Sequence, residues 1–310
     1  MKKAALAFLS LTIVLLAWAW WGLPARSDVR ALATRNPGHT SVMRQREDEA
    51  RRAGRTPRTI QSWVPIGRIS RHLVHAVLAA EDQKFFGHEG VDWEAIKESV
   101  EVNRAQKRFA RGGSTITQQL AKNLFFTTYK SLLRKARELL VARWLEEDLS
   151  KRRILELYLN VIEWGDGVYG CQAAAQRYYG KPCSDLTGPE AAGLAAMIPN
   201  PRRINPAVNP TRHARAQRRV MWLMANAGYL GRQGLGSEPP DEDEDESEDE
   251  DESESVHVHG HVPVPESPVP VPAPESASDS GSVPVPETES ETESVPATPT
   301  PSPTPSAERP

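Results

Sequence analysis

Hydrophobic and polar positions divide the 310-residue chain into three parts. Residues 4–23 form one apolar run, and the positions up to about residue 232 mix apolar and polar side chains at helical spacing. Residues 236–310 contain no large apolar side chain other than valine. Because long alternation of β-branched residues is missing from residues 60–232, the sequence predicts a mainly α-helical domain there.

The N-terminal apolar run has the length of a membrane-spanning helix. Residues 4–23 would extend ~30 Å as a helix, which is the thickness of a bilayer core. Trp18, Trp20 and Trp21 lie at its far end, where interfacial aromatic residues are common. The pattern favours an uncleaved transmembrane anchor over the alternative, a signal peptide with a shorter apolar stretch. Residues 24–59 would then form a membrane-proximal segment.

The C-terminal part has the composition of a disordered tail. Residues 241–254 are almost entirely Asp, Glu and Ser, and V-P-V-P units follow. Such a segment cannot bury enough apolar surface to fold alone, so residues 236–310 are predicted to be disordered and partly polyproline-like. His257, His259 and His261 alternate in a pattern that can bind metal, but chance members of a solvated tail are the favoured interpretation.

Charge separates the tail from the rest of the chain. Residues 236–310 hold 21 acidic residues and one basic residue, whereas residues 1–235 hold 20 acidic and 37 basic residues, a charge of about +17. A basic body suits an anionic partner such as nucleic acid, phosphate or a membrane surface, and composition does not choose among them. We also consider the hypothesis that the tail folds back on this body.

Residues 69–86 predict a helix that ends in two carboxylates. Ser70 is a suitable cap, and Leu73 and Val77 follow at helical spacing. Glu81 and Asp82 come last, where the partial negative charge of the helix C-terminus should raise the pKa of Glu81. A carboxylate tuned in this way can act as a general base. The alternative is a helix end with solvated acids.

A second helix start carries the features of an anion site. Thr115 and Gln118 have capping-box spacing, and Thr115, Gln119 and Lys122 would share one helix face. Free backbone N–H groups with a lysine nearby can bind an anion. A capped surface helix with a solvated lysine is the equal alternative.

Arg134 and Glu138 have two interpretations. They are neighbours at i, i+4, so a surface salt bridge worth ~0.3–0.5 kcal/mol is one. In the other, Arg134 reaches a phosphate and Glu138 faces the same cleft.

The remaining motifs predict packing rather than chemistry. Ile154, Leu157 and Tyr158 are spaced as one buried helix face, and residues 190–195 form a small-residue helix. Cys171 and Cys183 can form a disulfide outside the cytoplasm, but two buried free thiols are favoured.

Five motifs in a fixed order resemble the glycosyltransferases of family 51, the peptidoglycan polymerases that occur in class A penicillin-binding proteins and as single-domain enzymes. The motifs are E-D-Q-K-F-F-G-H-E-G, G-G-S-T-I-T-Q-Q-L-A-K-N, R-K-A-R-E, R-R-I-L-E-L-Y-L-N and E-A-A-G-L-A-A-M-I-P-N-P. The resemblance covers about residues 60–210, and the monofunctional biosynthetic form is the most similar.

This resemblance implies a fold, partners and a location. The fold would be lysozyme-like, with a small membrane-proximal lobe. The partners would be lipid II, the growing glycan strand, the membrane, and penicillin-binding or division proteins, with no nucleic acid. The protein would be a single-pass protein of the inner membrane, with its N-terminus in the cytoplasm and its catalytic domain in the periplasm.

The resemblance also implies roles for individual residues. Glu81 would be the catalytic base and Glu138 a second acidic residue, and a divalent cation such as Mg²⁺ would assist. The residues expected to bind substrate are Asp82, Phe85, His88, Ser114, Thr115, Gln118, Gln119, Lys122 and Arg134. The alternatives are a lysozyme-like peptidoglycan hydrolase, which also uses carboxylates in a helical cleft, and a non-enzymatic membrane scaffold.

Overall fold

Helices dominate the computed structural model, which describes residues 22–97, 101 and 113–231. The α-helices whose two ends both lie within the described residues are α1 (Arg26–Ala31), α2 (Ser41–Arg52), α3 (Arg71–Glu81), α4 (Ile116–Phe125), α5 (Leu132–Asp148), α6 (Lys151–Val161), α7 (Cys171–Tyr179), α8 (Gly188–Ala195) and α9 (Pro210–Asn226). Short 3-10 turns cover Ile66–Arg68, Phe85–Gly87 and Cys183–Asp185. The predicted mainly helical class is confirmed for these residues.

Local capping explains where the two motif-bearing helices start. The Ser70 hydroxyl accepts a hydrogen bond from the His72 N–H at 3.2 Å and begins α3. The Thr115 hydroxyl accepts one from the Gln118 N–H at 3.2 Å and begins α4. Both starts agree with the sequence-based prediction, because a cap depends only on residues two or three positions apart. The Gln118 side chain, however, turns to the carbonyl of Gly90 instead of closing a capping box.

The core is built around α3, α4 and α6. Helix α3 packs against α8 and α9, while α4 packs against both α5 and α6. The small side chains of α8 permit close approach: a Cβ added to Gly193 would lie 2.5 Å from the Tyr179 hydroxyl. The predicted small-residue packing helix is therefore confirmed.

A small sheet joins distant parts of the chain. Strand β3 (Val168–Tyr169) pairs parallel to β1 (Ile60–Gln61) and antiparallel to β2 (Glu163–Gly165). Gly167 makes the turn with a φ of 72°, and a Cβ there would lie 2.5 Å from the Arg58 carbonyl oxygen. The sequence did not predict this sheet, because its strands are very short and their pairing is long-range.

Residues 24–59 do not form a separate layer. Helix α1 packs on α5, with Arg26 paired to Glu147 and Asp148 at 2.8 Å each. Helix α2 packs on α4, and its Arg46 pairs with the buried Glu163 at 2.9 Å. The predicted boundary between residues 59 and 60 is thus not a boundary of packing, since tertiary contacts of α1 and α2 continue the same domain.

The predicted anchor and tail lie almost entirely outside the described residues. Residues 4–21 of the apolar run and all of residues 236–310, including the three tail histidines, belong to the part that the structure does not describe. Within residues 22–97, 101 and 113–231, no helix combines the length and apolarity needed to cross a bilayer.

Candidate active site

Glu81 lies at the meeting point of α3, α4 and α6. It is the last residue of α3 and is half-buried. The Gln119 side-chain N–H₂ donates to its carboxylate at 2.6 Å, and the Tyr158 hydroxyl donates to the Gln119 carbonyl oxygen at 2.8 Å. Because burial raises the pKa of Tyr158, its hydroxyl stays protonated and acts as the donor. Tyr158 therefore orients Gln119, and Gln119 orients Glu81.

Burial raises the pKa of Glu81, and the neighbouring Asp82 carboxylate acts in the same direction. The hydrogen bond from Gln119 and the charge of Lys122 oppose this pKa shift without reversing it. The predicted direction agrees, but desolvation is the main cause, and it disfavours the charged form of any carboxyl. Glu81 consequently has the properties of a general base that works nearer neutral pH.

The internal contacts next to Glu81 involve Asp82, His88 and Phe85. The Asp82 carboxylate, only 4% exposed, accepts the Ile116 N–H at 3.0 Å and the His88 Nε2–H at 3.0 Å. The Gly90 N–H donates to His88 Nδ1 at 3.2 Å, so Nε2 carries the proton. Phe85 is fully buried in the core. These residues were expected to bind substrate, but the contacts found for Asp82 and Phe85 are internal, because tertiary packing turns both side chains inward.

Lys135, which belongs to the third motif, contacts residues of the second motif. Its ammonium donates to the Ser114 hydroxyl at 2.7 Å and to the Gln118 side-chain carbonyl at 2.9 Å. It also lies 3.6 Å from the Glu138 carboxylate. Thr115 and Gln118 are buried, and both donate to the Gly90 carbonyl, so they tie the start of α4 to the end of the first motif rather than face solvent.

Three cations and two carboxylates share one neighbourhood. Arg134 forms a salt bridge with Glu138, and Lys122 interacts with the charges of both Glu81 and Glu138. Burial lowers the pKa of Lys122 and raises the pKa of Glu138. With Lys135 included, three cations lie near Glu81 and Glu138, while Asp82 is a third acidic group beside Glu81, and these cations are the groups that would attract a bound anion.

Arg134 keeps one donor unused. Its Nε–H is buried and has no hydrogen-bond partner among the described residues. A buried donor without a partner costs about 1–3 kcal/mol, so a site that leaves one is suited to a ligand that accepts it. The structure thus brings Glu81, Gln119, Lys122, Arg134 and Glu138 together.

Two positioning residues were missed by sequence analysis. Lys135 belongs to the R-K-A-R-E motif, and its i, i+3 spacing to Glu138 was the available signal. Tyr158 was assigned to packing because its spacing fits a buried helix face, and no sequence feature indicates where its hydroxyl points.

A groove with a volume of about 950 Å³ lies beside α5 and the end of the first motif. Its lining includes the exposed apolar side chains of Phe86, Trp93 and Leu140, together with Lys84 and Arg143. His88 also lines it, whereas Glu81 and Lys122 do not. The groove therefore adjoins the charged cluster without containing it.

Comparison with known proteins identifies the family. The transglycosylase family model matches residues 48–225. A biosynthetic peptidoglycan transglycosylase from Azoarcus sp. (strain BH72) is 45% identical over 228 residues, which cover 71% of this chain and 94% of the relative. Proteins of the same name from Aromatoleum aromaticum and Laribacter hongkongensis are 49% and 51% identical, over 59% and 54% of this chain and 80% and 73% of the relatives. The chain belongs to the family of monofunctional biosynthetic peptidoglycan transglycosylases and is a peptidoglycan glycosyltransferase.

Proposed function

We propose that this glycosyltransferase polymerises lipid II by an inverting displacement, with Glu81 as the general base. The observation that carries the proposal is that Glu81 and the cation Lys122 interact within one cluster. Glu81 would take the acceptor proton, and the neighbouring Lys122 would stabilise the departing diphosphate. The donor would be the lipid-linked glycan strand, and the new bond would be β-1,4.

The base step uses the high proton affinity of Glu81. Its carboxylate takes the proton from the acceptor 4-hydroxyl while that oxygen attacks the anomeric carbon of the donor. Burial raises the pKa of Glu81 and so makes it a stronger base than a solvated glutamate. The hydrogen bond from Gln119 holds the carboxylate in one orientation throughout.

The leaving-group step uses the cations. Negative charge grows on the pyrophosphate as the glycosidic bond to it breaks. Lys122 and Arg134 would stabilise this charge, with Lys135 beside them, and the unused Arg134 Nε–H would donate to a phosphate oxygen; the shared cluster and the unpaired donor support these roles. Fixed charges in a partly desolvated site stabilise a developing charge more strongly than water does.

A divalent cation fits this site only together with the substrate. Among residues 22–97, 101 and 113–231, no group of three His, Cys, Asp or Glu side chains could hold a metal. Mg²⁺ commonly takes one or two carboxylates and completes its shell with substrate phosphates and water. Glu138 is the residue that would hold it, and the ion would add positive charge at the pyrophosphate.

We further propose that the domain lies on the outer face of the cytoplasmic membrane, held by an anchor over residues 4–23 with its N-terminus inside. Exposed apolar side chains near the site support this placement: Leu132 is 92% exposed, Trp93 65% and Phe86 64%. The basic body suits an anionic lipid surface. Penicillin-binding or division proteins would be the protein partners.

Glu81→Gln tests the mechanism. Labelled lipid II is incubated with the detergent-purified full chain, and long glycan is measured. Removing the base should lower turnover about 10²–10⁴-fold, while binding of a pyrophosphate-lipid inhibitor stays intact. Glu147→Gln is the matched control, since Glu147 pairs with Arg26 and Arg143 at the end of α5 and should retain wild-type turnover. Unchanged polymerisation by Glu81→Gln would reject Glu81 as the base.

The two alternative activities predict different results. A hydrolase would release muropeptides from purified cell wall, and a scaffold would let a Glu81→Gln chain rescue a deletion strain. We expect neither result.

A further inference from the structure

Cys171 and Cys183 lie against each other in a part of the core that the reaction does not use. Cys171 is the first residue of α7, and Cys183 opens the 3-10 turn Cys183–Asp185. Both are fully buried free thiols in the structure, which is the state that the sequence favoured, and their Sγ atoms are 3.2 Å apart. This separation is well inside the ~4 Å contact distance of ordinary side-chain atoms.

Hydrogen bonds of the surrounding chain hold the two segments in place. The Cys183 N–H donates to the Gln172 side-chain carbonyl at 3.0 Å. The Ser70 N–H donates to the Cys183 carbonyl at 3.1 Å. The sulfur atoms therefore meet because the fold brings their backbones together, and joining them requires little movement.

We propose that Cys171 and Cys183 form a structural disulfide in the exported protein. The inference rests on the proposal that the domain lies outside the cytoplasmic membrane, because disulfides persist there and are rare in the cytosol. A shared metal is not supported, since the described residues contain no third ligand beside the pair.

The oxidant is the disulfide of a thiol–disulfide oxidoreductase outside the cytoplasm. One cysteine thiolate attacks a sulfur of that disulfide, which forms a mixed disulfide and releases the oxidant's other thiolate. The second cysteine thiolate then attacks the chain's own sulfur, which forms the Cys171–Cys183 bond and expels the reduced oxidant. Two electrons pass to the oxidant, and the two thiol protons pass to its thiolates.

The timing of the exchange follows from the burial of the two sulfur atoms. Because both sulfur atoms are buried in the folded chain, the exchange takes place before α7 packs over the turn.

The bond would stabilise the start of the helix that carries Glu81. Ser70 caps α3 and donates its N–H to Cys183. The cross-link closes a short loop, since the cysteines are 12 positions apart. We expect the oxidised chain to melt about 5–10 °C above the reduced chain.

A thiol count on the full chain tests the proposal. Cells that produce the protein in their membrane are quenched with acid, and the denatured protein is labelled with a maleimide that shifts its gel mobility. We expect no labelled thiol without prior reduction and two after it. Cys171→Ala and Cys183→Ala should each show one label without reduction. Two labels on the unreduced wild type would overturn the proposal.

The structural role is tested by melting the purified protein with and without reductant. Reductant should lower the melting temperature of the wild type but not that of the Cys171→Ala, Cys183→Ala double variant. If the wild type melts at the same temperature with and without reductant, the stabilising role of the disulfide is overturned. Neither measurement involves lipid II, so failure here is distinguishable from failure of the proposed polymerase mechanism.

Discussion

Gln119 is the side chain that links Glu81, the proposed base, to the core. Its N–H₂ donates to Glu81, and its carbonyl oxygen accepts from the buried Tyr158 hydroxyl. An amide has donor and acceptor on opposite sides, so the Tyr158 bond decides which side faces Glu81. The proton affinity of Glu81, the proposed base, thus depends on the buried Tyr158 hydroxyl.

Tyr158→Phe should alter the pH dependence of catalysis. Without its anchor the Gln119 amide holds the Glu81 carboxylate less well, which raises the pKa of Glu81 further. Since the base must be ionised, the acid limb of kcat/KM moves to higher pH, and kcat near neutral pH falls roughly tenfold. The measurement is a pH–rate profile with lipid II.

Tyr169→Phe is the matched control for Tyr158→Phe. Tyr169 is also fully buried, but its hydroxyl has no hydrogen-bond partner in the described part of the chain. Its replacement should leave the acid limb in place. A profile that shifts equally in both variants would argue against a specific Tyr158–Gln119–Glu81 connection.

Lys135→Ala should weaken the anion site. The variant loses donors to Ser114 and Gln118 and one positive charge beside Glu138. We expect kcat/KM to fall about 10–100-fold, because hydrogen bonds from a charged group contribute ~1.5–3 kcal/mol. Steady-state kinetics with lipid II measure this.

Lys181→Ala removes an equivalent charge elsewhere and serves as the control for Lys135→Ala. Lys181 pairs with Glu190 on α8, outside the charged cluster. The kcat/KM of Lys181→Ala should stay within about twofold of the wild-type value. Equal losses of kcat/KM in the two variants would show that the net positive charge of the domain, rather than the contacts of Lys135, sets kcat/KM.

At the scale of elements, Asp82 joins the end of α3 to the start of α4. Its carboxylate accepts the Ile116 N–H, which is the first N–H of α4, and also the His88 N–H. A carboxylate is well placed at a helix N-terminus because of the partial positive charge there. The distance between Glu81 and Lys122, one on each helix, is fixed by this connection.

Asp82→Ala should therefore destabilise the protein. It leaves two buried donors without an acceptor, and we expect a loss of about 2–3 kcal/mol in the free energy of unfolding. Asp92→Ala is the comparison, since among the described residues Asp92 accepts the Ala95 N–H, and losing this helix-cap bond should cost about 1 kcal/mol. Urea titration followed by circular dichroism measures both. Similar losses in the two variants would contradict the assigned role of Asp82.

At the scale of the whole molecule, charge links segments that are distant in sequence. Arg46 of α2 and Arg202 after α8 both approach Glu163, and burial raises the pKa of Glu163 despite these two cations. A buried carboxylate is tolerated only with such partners. This network attaches α2 to the body.

The acidic tail should compete with anionic substrate for the basic body. Deleting residues 237–310 removes a net charge of about −20 and keeps every residue that the structure describes. We expect KM for lipid II to fall severalfold at low salt and to converge with the full-length value near 1 M NaCl, where the Debye length is ~3 Å. An unchanged salt dependence of KM after the deletion would contradict the fold-back hypothesis.

Several features of this protein were predicted from local signals in its sequence. The Ser70 and Thr115 caps, the apolar spacing within α3 and the small residues of α8 each depend on neighbours within one or two turns. Capping and periodicity are local, so they can be recognised without coordinates. The order of the five motifs placed the chain in its family, and the position of Glu81 at a helix end predicted the direction of its pKa shift.

Only the tertiary structure decided how these pieces act together. The Tyr158 hydroxyl meets Gln119 from another helix, and Lys135 reaches Ser114 and Gln118 across α4 and α5. The inward turn of Asp82, the pairing of β1 with β3 and the contact of Cys171 with Cys183 are likewise long-range. Such contacts depend on how whole elements pack, because packing sets the direction and the burial of each side chain. The spacing of residues along one helix specifies neither of these.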